Sequence, residues 1–125
     1  MTILRAMSAR PRKIMVGYDG SDAAGRALDV AAELAGYGST LAVVTIHTSK
    51  PDGSVTAGAR DRLQQRLVQA GYHEATGEPA KQLVQKACEL GADLLVIGRR
   101  KGRPLLGSVS SKVVRRASCD VLVVR

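Results

Sequence analysis

The chain has 125 residues and a mass of 13.2 kDa, enough for one domain around a single core and too few for a second. Nineteen Lys and Arg against eleven Asp and Glu leave a formal charge of +8, which favours acidic partners such as nucleotides, polyphosphate or nucleic acid and says nothing about fold. The two cysteines, Cys88 and Cys119, exclude a disulfide framework and lack metal-ligand spacing, and no apolar run is long enough to serve as a signal peptide or to span a membrane.

The opening MTILRAMSARPR is basic and free of acidic residues, and residues 1–12 are expected to form a flexible basic tail ahead of a domain at 13–125. With no export signal, the expected location is the cytoplasm. Along the domain, short β-rich runs alternate with longer stretches of helical period. Lys13 to Tyr18 (KIMVGY) predicts a first strand, nearly continuous in apolar residues, as in a parallel sheet covered on both faces. Ser21 can cap a first helix whose apolar face carries Ala24, Leu28, Ala31 and Ala35, with Gly36 or Gly38 for a left-handed exit. Thr40 to Ile46 (TLAVVTI) is a second strand. Ala59, Leu63 and Leu67 place a second helix ahead of Gly71, and Tyr72 to Thr76 reads as a weaker strand whose polarity suits a sheet edge. Pro79 opens a third helix carrying Leu83, Ala87 and Leu90 and closed by Gly91. Asp93 to Ile97 (DLLVI) is a further buried strand. Ser108 then precedes Val109, Val113 and Ala117 on a fourth helix, with Arg115 and Arg116 near its negative end, and Val121 to Val124 (VLVV) forms the last strand. Right-handed crossovers make of this an open, doubly wound α/β sheet with helices on both faces.

In such sheets ligands gather beyond the carboxyl ends of the strands, where the strand order reverses. The loop YDGSD, Tyr18 to Asp22, offers Asp19 as an acceptor for a base or ribose and Gly20 for close backbone approach; equally, Asp19 and Ser21 can do no more than cap the first helix. The loop GRRKGRPLLGS, Gly98 to Ser108, is rich in glycine and cationic side chains, but Ser108 and Val109 stand where a P-loop needs Lys and Ser or Thr, and no G-x-G-x-x-G follows any strand. What is left is a cationic loop ending where Gly107 and Ser108 open a helix, either an anion site or a solvated basic turn.

KIMVGYDGS, then GEPA, ADLLVIG and GSVSSKVVRRASCDVLVV in that order and spacing, resemble the universal stress protein family from Lys13 to Arg125. The resemblance implies an adenine nucleotide alpha hydrolase-like fold with a five-stranded parallel sheet ordered 3-2-1-4-5, a cytoplasmic stress-response role, frequent dimers and, in many members, bound ATP or another adenine nucleotide such as AMP. It leaves magnesium open. Asp19 matches the family's aspartate at the end of the first strand, Thr48 falls at the exit of the second, and Gly98, Gly107 and Ser108 match the outer positions of the nucleotide motif, with Val109 next in line. The middle departs from the pattern. Lys101 stands where the second glycine belongs, Gly102 comes one place late, and eight residues separate Gly98 from Gly107 where twelve are expected. Ser49 to Ser54 also makes a short connection after the second strand. Fewer backbone N–H groups are then available to phosphates, while Arg99, Arg100, Lys101 and Arg103 can compensate by charge.

A catalytic role finds little support. His47 and His73 are the only histidines, and neither H-E-x-x-H nor G-x-S-x-G occurs. No group is evident to orient water for ATP hydrolysis, which leaves at most a slow reaction. Specific nucleic-acid binding lacks a stacking platform, since the aromatics are Tyr18, Tyr37 and Tyr72, widely spaced. The expected function is binding of an adenine nucleotide or related phosphate anion; the alternative is a member that binds no nucleotide and works through protein contacts. A homodimer is expected through the last strand, whose outer edge would otherwise be unpaired.

Overall fold

A computed structural model describes residues 2–3, 12–36, 38–99 and 107–125. The elements run β1 (Thr2–Ile3), β2 (Lys13–Gly17), α1 (Asp22–Ala35), β3 (Thr40–His47), α2 (Gly53–Gln65), β4 (Gly71–Thr76), α3 (Pro79–Leu90), β5 (Leu94–Gly98), α4 (Ser108–Arg116) and β6 (Asp120–Val124). The sheet order is β1-β6-β5-β2-β3-β4. β2 to β6 are all parallel and, counted alone, follow the expected order 3-2-1-4-5.

The addition is β1. Thr2 and Ile3 pair antiparallel with Val123 and Leu122, which corrects two expectations: residues 2–3 are not a loose tail, and the outer edge of the last strand is not free. Met1 and residues 4–11 of the expected tail lie outside the described residues. At the other end of that segment, the Arg12 and Lys13 amides donate to the Asp93 carboxylate at 3.0 and 2.9 Å, and the Arg12 carbonyl accepts from the Thr40 amide.

The pleat divides the strand side chains between two layers. Ile14, Val16, Leu41, Val43, Leu94, Val96, Leu122 and Val124 face α1 and α2, against Leu28, Ala31, Ala59 and Leu63. Met15, Val44, Leu95, Ile97, Val121 and Val123 face α3 and α4, against Leu83, Ala87 and Val113. Burial on both faces explains why these strands read as continuous apolar runs. No helix among the described residues is long and apolar enough to cross a membrane.

Most helix ends follow their local signals. The Ser21 hydroxyl accepts from the Ala24 amide at 3.1 Å, Pro79 sits in the first turn of α3, and Gly91 closes α3 at φ 66°. After α1 the left-handed residue is Gly38, at φ 94°, while Gly36 stays right-handed. α2 begins earlier than its apolar residues suggest, because Asp52 caps it by accepting from the Ser54 amide; Gly53 and Ser54 therefore belong to the helix.

Leu67 is a correction. It does not extend the apolar stripe of α2; it lies two residues past the helix end, 92% exposed and at φ 56°. The Leu67 amide donates to the Gln64 carbonyl and the Val68 amide to the Leu63 carbonyl, so a leucine occupies the left-handed position of a Schellman closure and Val68 takes the contact with the core. A side chain in that conformation costs roughly 1–2 kcal/mol, of which glycine gives back part through a more flexible unfolded chain. Leu67→Gly should therefore raise stability by about 0.5–1 kcal/mol in urea unfolding; a loss would show that Leu67 makes a contact that matters.

Between α1 and α2, Arg62 donates twice to Asp29, at 2.8 and 2.7 Å, and Arg66 lies 3.7 Å away. The hydrogen bond from Arg62, aided by the charges of Arg62 and Arg66, holds the Asp29 carboxyl below its ordinary range despite burial. A lowered folded value means stability that is present above the ordinary aspartate pKa and lost as pH falls through the lowered one. Asp29→Asn should thus cost up to about 1 kcal/mol at neutral pH, in keeping with a half-exposed pair, and less in acid. An equal cost at pH 7 and pH 2 would exclude the ion pair as its source.

Candidate cleft at the strand-order reversal

From β2 the chain moves outward to β3 and β4, then returns past β2 to lay down β5 and β6. The carboxyl ends of β2 and β5 therefore part at the reversal point, and loops leaving them diverge to opposite faces. A cleft of about 580 Å³ opens there. Its lining includes Gly17, Tyr18, Asp19 and Ser21 after β2, Thr48 after β3, Gly98 and Arg99 after β5, and Gly107, Ser108, Val109 and Ser110 at the start of α4.

The floor is apolar. Val44 and Ile46 reach it from β3, Leu83 from α3, Ile97 from β5, and Ala23 and Ala24 from α1. Sequence reasoning named the polar rim and passed over this floor, together with Pro79 and Ser110. The two-residue spacing of Val44 and Ile46 was the available signal, since both point to the face of β3 away from α1 and α2.

Asp19 does part of what either expectation assigned it. Its Oδ1 accepts the Ser21 amide at 2.9 Å, shaping the turn into α1, and Gly20 takes φ 86° within that turn. Ser21, not Asp19, caps the helix. The second carboxylate oxygen, Oδ2, makes no hydrogen bond to the described residues, which leaves a charged acceptor at the cleft.

The two glycines that frame the loop after β5 differ in kind. A Cβ on Gly98 would stand 2.3 Å from the Ala23 carbonyl oxygen and 2.5 Å from its carbon, so the close passage of α1 over β5 requires glycine there. Among the described residues, a Cβ on Gly107 would meet nothing within 4 Å, and its φ of −70° is open to any residue. Nothing among the described residues demands glycine at 107. It is the N-cap of α4, where no side chain caps the first turn, in contrast to Ser21 on α1 and Asp52 on α2. The first amides of α4 thus border the cleft with no capping side chain among the described residues, at the positive end of the helix dipole.

Arg99 anchors the loop by its backbone. Its amide donates to the Val124 carbonyl at 2.7 Å, and its carbonyl accepts from the Arg26 guanidinium at 3.3 Å. The Nε groups of Arg26 and Arg99 are both buried with no hydrogen-bond partner among the described residues, donors that the fold leaves over. Lys101 and Gly102, with Arg100 and Arg103, lie outside the described residues.

The histidines sit elsewhere. His47 is 8% exposed, its Nε2 is 2.7 Å from Glu74 Oε1, and neither it nor His73 lines the cleft. Among the described residues, no three or more His, Cys, Asp or Glu side chains come together as a metal site would need.

The sequence profile of the universal stress protein family matches residues 11–125. A universal stress protein of Thermus aquaticus is 36% identical over 135 residues, an alignment that takes in 91% of this chain and 98% of the relative. Among solved structures, a universal stress protein in complex with cAMP superposes with a TM-score of 0.82 at 31% identity, covering 94% of this chain and 98% of the other. The Archaeoglobus fulgidus universal stress protein in complex with dAMP gives 0.79 at 26% identity, covering 94% and 100%. With the profile spanning the whole doubly wound domain, and relatives agreeing in sequence and in fold over nearly their full length, this chain is a member of the universal stress protein family.

Proposed function

We propose that this protein binds an adenine nucleotide, or a related phosphate anion, in the cleft between β2 and β5, and serves as a cytoplasmic binding module of a stress response rather than as an enzyme. The observation that carries the reading is Gly107: a glycine that no described residue requires, at the start of α4 where no side chain makes a capping bond, beside the cleft that also receives Asp19. A side chain at that position would stand where an oxyanion approaches the helix amides. The apolar floor suits a flat base, Asp19 Oδ2 offers an acceptor to adenine or ribose, and Thr48 borders the cleft at the exit of β3. Two similar proteins hold cAMP and dAMP, which supports an adenine nucleoside monophosphate as the common element. Gly98 and Arg99 border the same end, and Ser108 and Val109 supply the first helical amides.

Mass spectrometry of small molecules released from the purified, denatured protein tests this directly, followed by calorimetric titration with ATP, AMP and cAMP. If no nucleotide is released and none binds at millimolar concentration, the shortened loop between Gly98 and Gly107 has lost the function and a role through protein contacts replaces it. Asp19→Asn separates the two duties of that side chain. The amide carbonyl can keep the bond from the Ser21 amide while the charge is lost, so stability should hold and nucleotide affinity should fall roughly 10- to 100-fold, the range for a charge-assisted hydrogen bond. Unchanged affinity would remove Asp19 from the site.

A further inference from the structure

The outer edge of β6 is the most exposed liability of the fold. Its side chains are buried on both faces, Leu122 and Val124 toward α1 and α2, Val121 and Val123 toward α3 and α4. Its backbone is paired along one side by β5 over Asp120 to Val124. On the other side, among the described residues, stands β1, with Thr2 and Ile3 opposite Val123 and Leu122. An apolar edge strand is a template for another strand. The opposite edge of the sheet, β4, is polar and carries His73 and Glu74, so it presents no such template.

Two features of β1 stand out. It runs antiparallel to β6 in an otherwise parallel sheet. A second copy placed by a two-fold axis across this edge would also bring its β6 antiparallel, because a two-fold normal to the sheet reverses strand direction. β1 therefore has the orientation that a partner's strand would have. It also lies outside the region that matches the family: residues 11–125 carry the profile, and 91% of this chain accounts for 98% of the Thermus aquaticus relative.

We propose that β1 is a self-capping strand, which holds the outer edge of β6 in the place that a second copy's β6 would take, so that two copies pair through this edge only when β1 leaves. The inference is independent of what the cleft binds. The competition is between a short strand at high local concentration and a longer one at low concentration. A tethered segment acts at an effective concentration on the order of millimolar, but the described pairing of β1 covers two residues where β6 of a second copy offers up to five. The balance makes self-association steeply dependent on the integrity of Thr2 and Ile3.

The test is sedimentation velocity on the full chain and on the double variant Thr2→Pro, Ile3→Pro, over a concentration series. Proline has no N–H for the ladder, so whichever of the two amides faces β6 is removed. The expected result is a dimer dissociation constant at least tenfold lower in the variant. An unchanged constant, weaker association in the variant, or monomers in both proteins up to about a millimolar would each overturn the proposal; weaker association would mean that β1 is part of the dimer. Should the variant fail to fold, as judged by circular dichroism, hydrogen exchange on the unmodified chain decides. Protection of the N-terminal peptide should fall as the dimer fraction rises with concentration, and protection that stays or increases would overturn the proposal.

Discussion

Gly107→Val is expected to abolish nucleotide binding while lowering stability by no more than about 1 kcal/mol, the difference between glycine and an apolar residue at a helix N-cap. The reason lies in the emptiness around this residue. No atom of the described residues stands within 4 Å of where its Cβ would be, and its backbone is extended and unstrained, so valine is accommodated by the described fold. The same branched side chain would occupy the space in front of the Ser108, Val109 and Ser110 amides, which carry no capping side chain. An anion seated on those amides would lose both contact and approach. Calorimetry with AMP and ATP, alongside urea unfolding, reads both quantities. Full affinity in the variant would show that the ligand does not use the start of α4, and would move the site toward Asp19 and Thr48 alone.

Gly98→Ala should do the reverse, costing about 3 kcal/mol of stability, at the upper end for an added core methyl. Its Cβ would press on the backbone of Ala23, at 2.3 Å from the carbonyl oxygen and 3.0 Å from the Ala24 nitrogen, and backbone cannot yield as the tip of a flexible side chain can. α1 would have to rise from β5, loosening Ala27 from the layer it shares with Val96 and Leu122. The midpoint of urea unfolding is the measurement. A midpoint unchanged from the parent would mean that α1 has more freedom over β5 than this packing implies. The two substitutions together distinguish a glycine kept for the fold from a glycine kept for a ligand, although both belong to one motif.

Much of the architecture was legible because it is local. Continuous apolar runs such as DLLVI and VLVV report burial on both faces, Ser21 and Gly91 mark the ends of α1 and α3, and alternation of the two periods yields a parallel sheet with helices on both sides. The resemblance added the strand order, and with it the place of the cleft. Leu67 failed as a helical residue because the pattern of apolar spacing cannot see where a helix stops; the Schellman closure after Leu63 is a matter of backbone hydrogen bonds.

At the cleft, sequence identified Asp19, Thr48, Gly98, Gly107 and Ser108 as residues that strand ends would bring together, yet it could not apportion their work. That Gly98 lies against the Ala23 backbone, 75 residues away in the chain, while Gly107 meets nothing among the described residues, depends on contacts between distant segments. The edge of the sheet shows the same division. The composition of β6 made it an edge in need of cover, but the cover itself, Thr2–Ile3, carries no pattern of its own, since two residues make no period. Periodicity and capping are written in neighbouring residues and so were determined by the sequence alone; close approach and edge pairing arise between distant segments, and only the tertiary structure decided them.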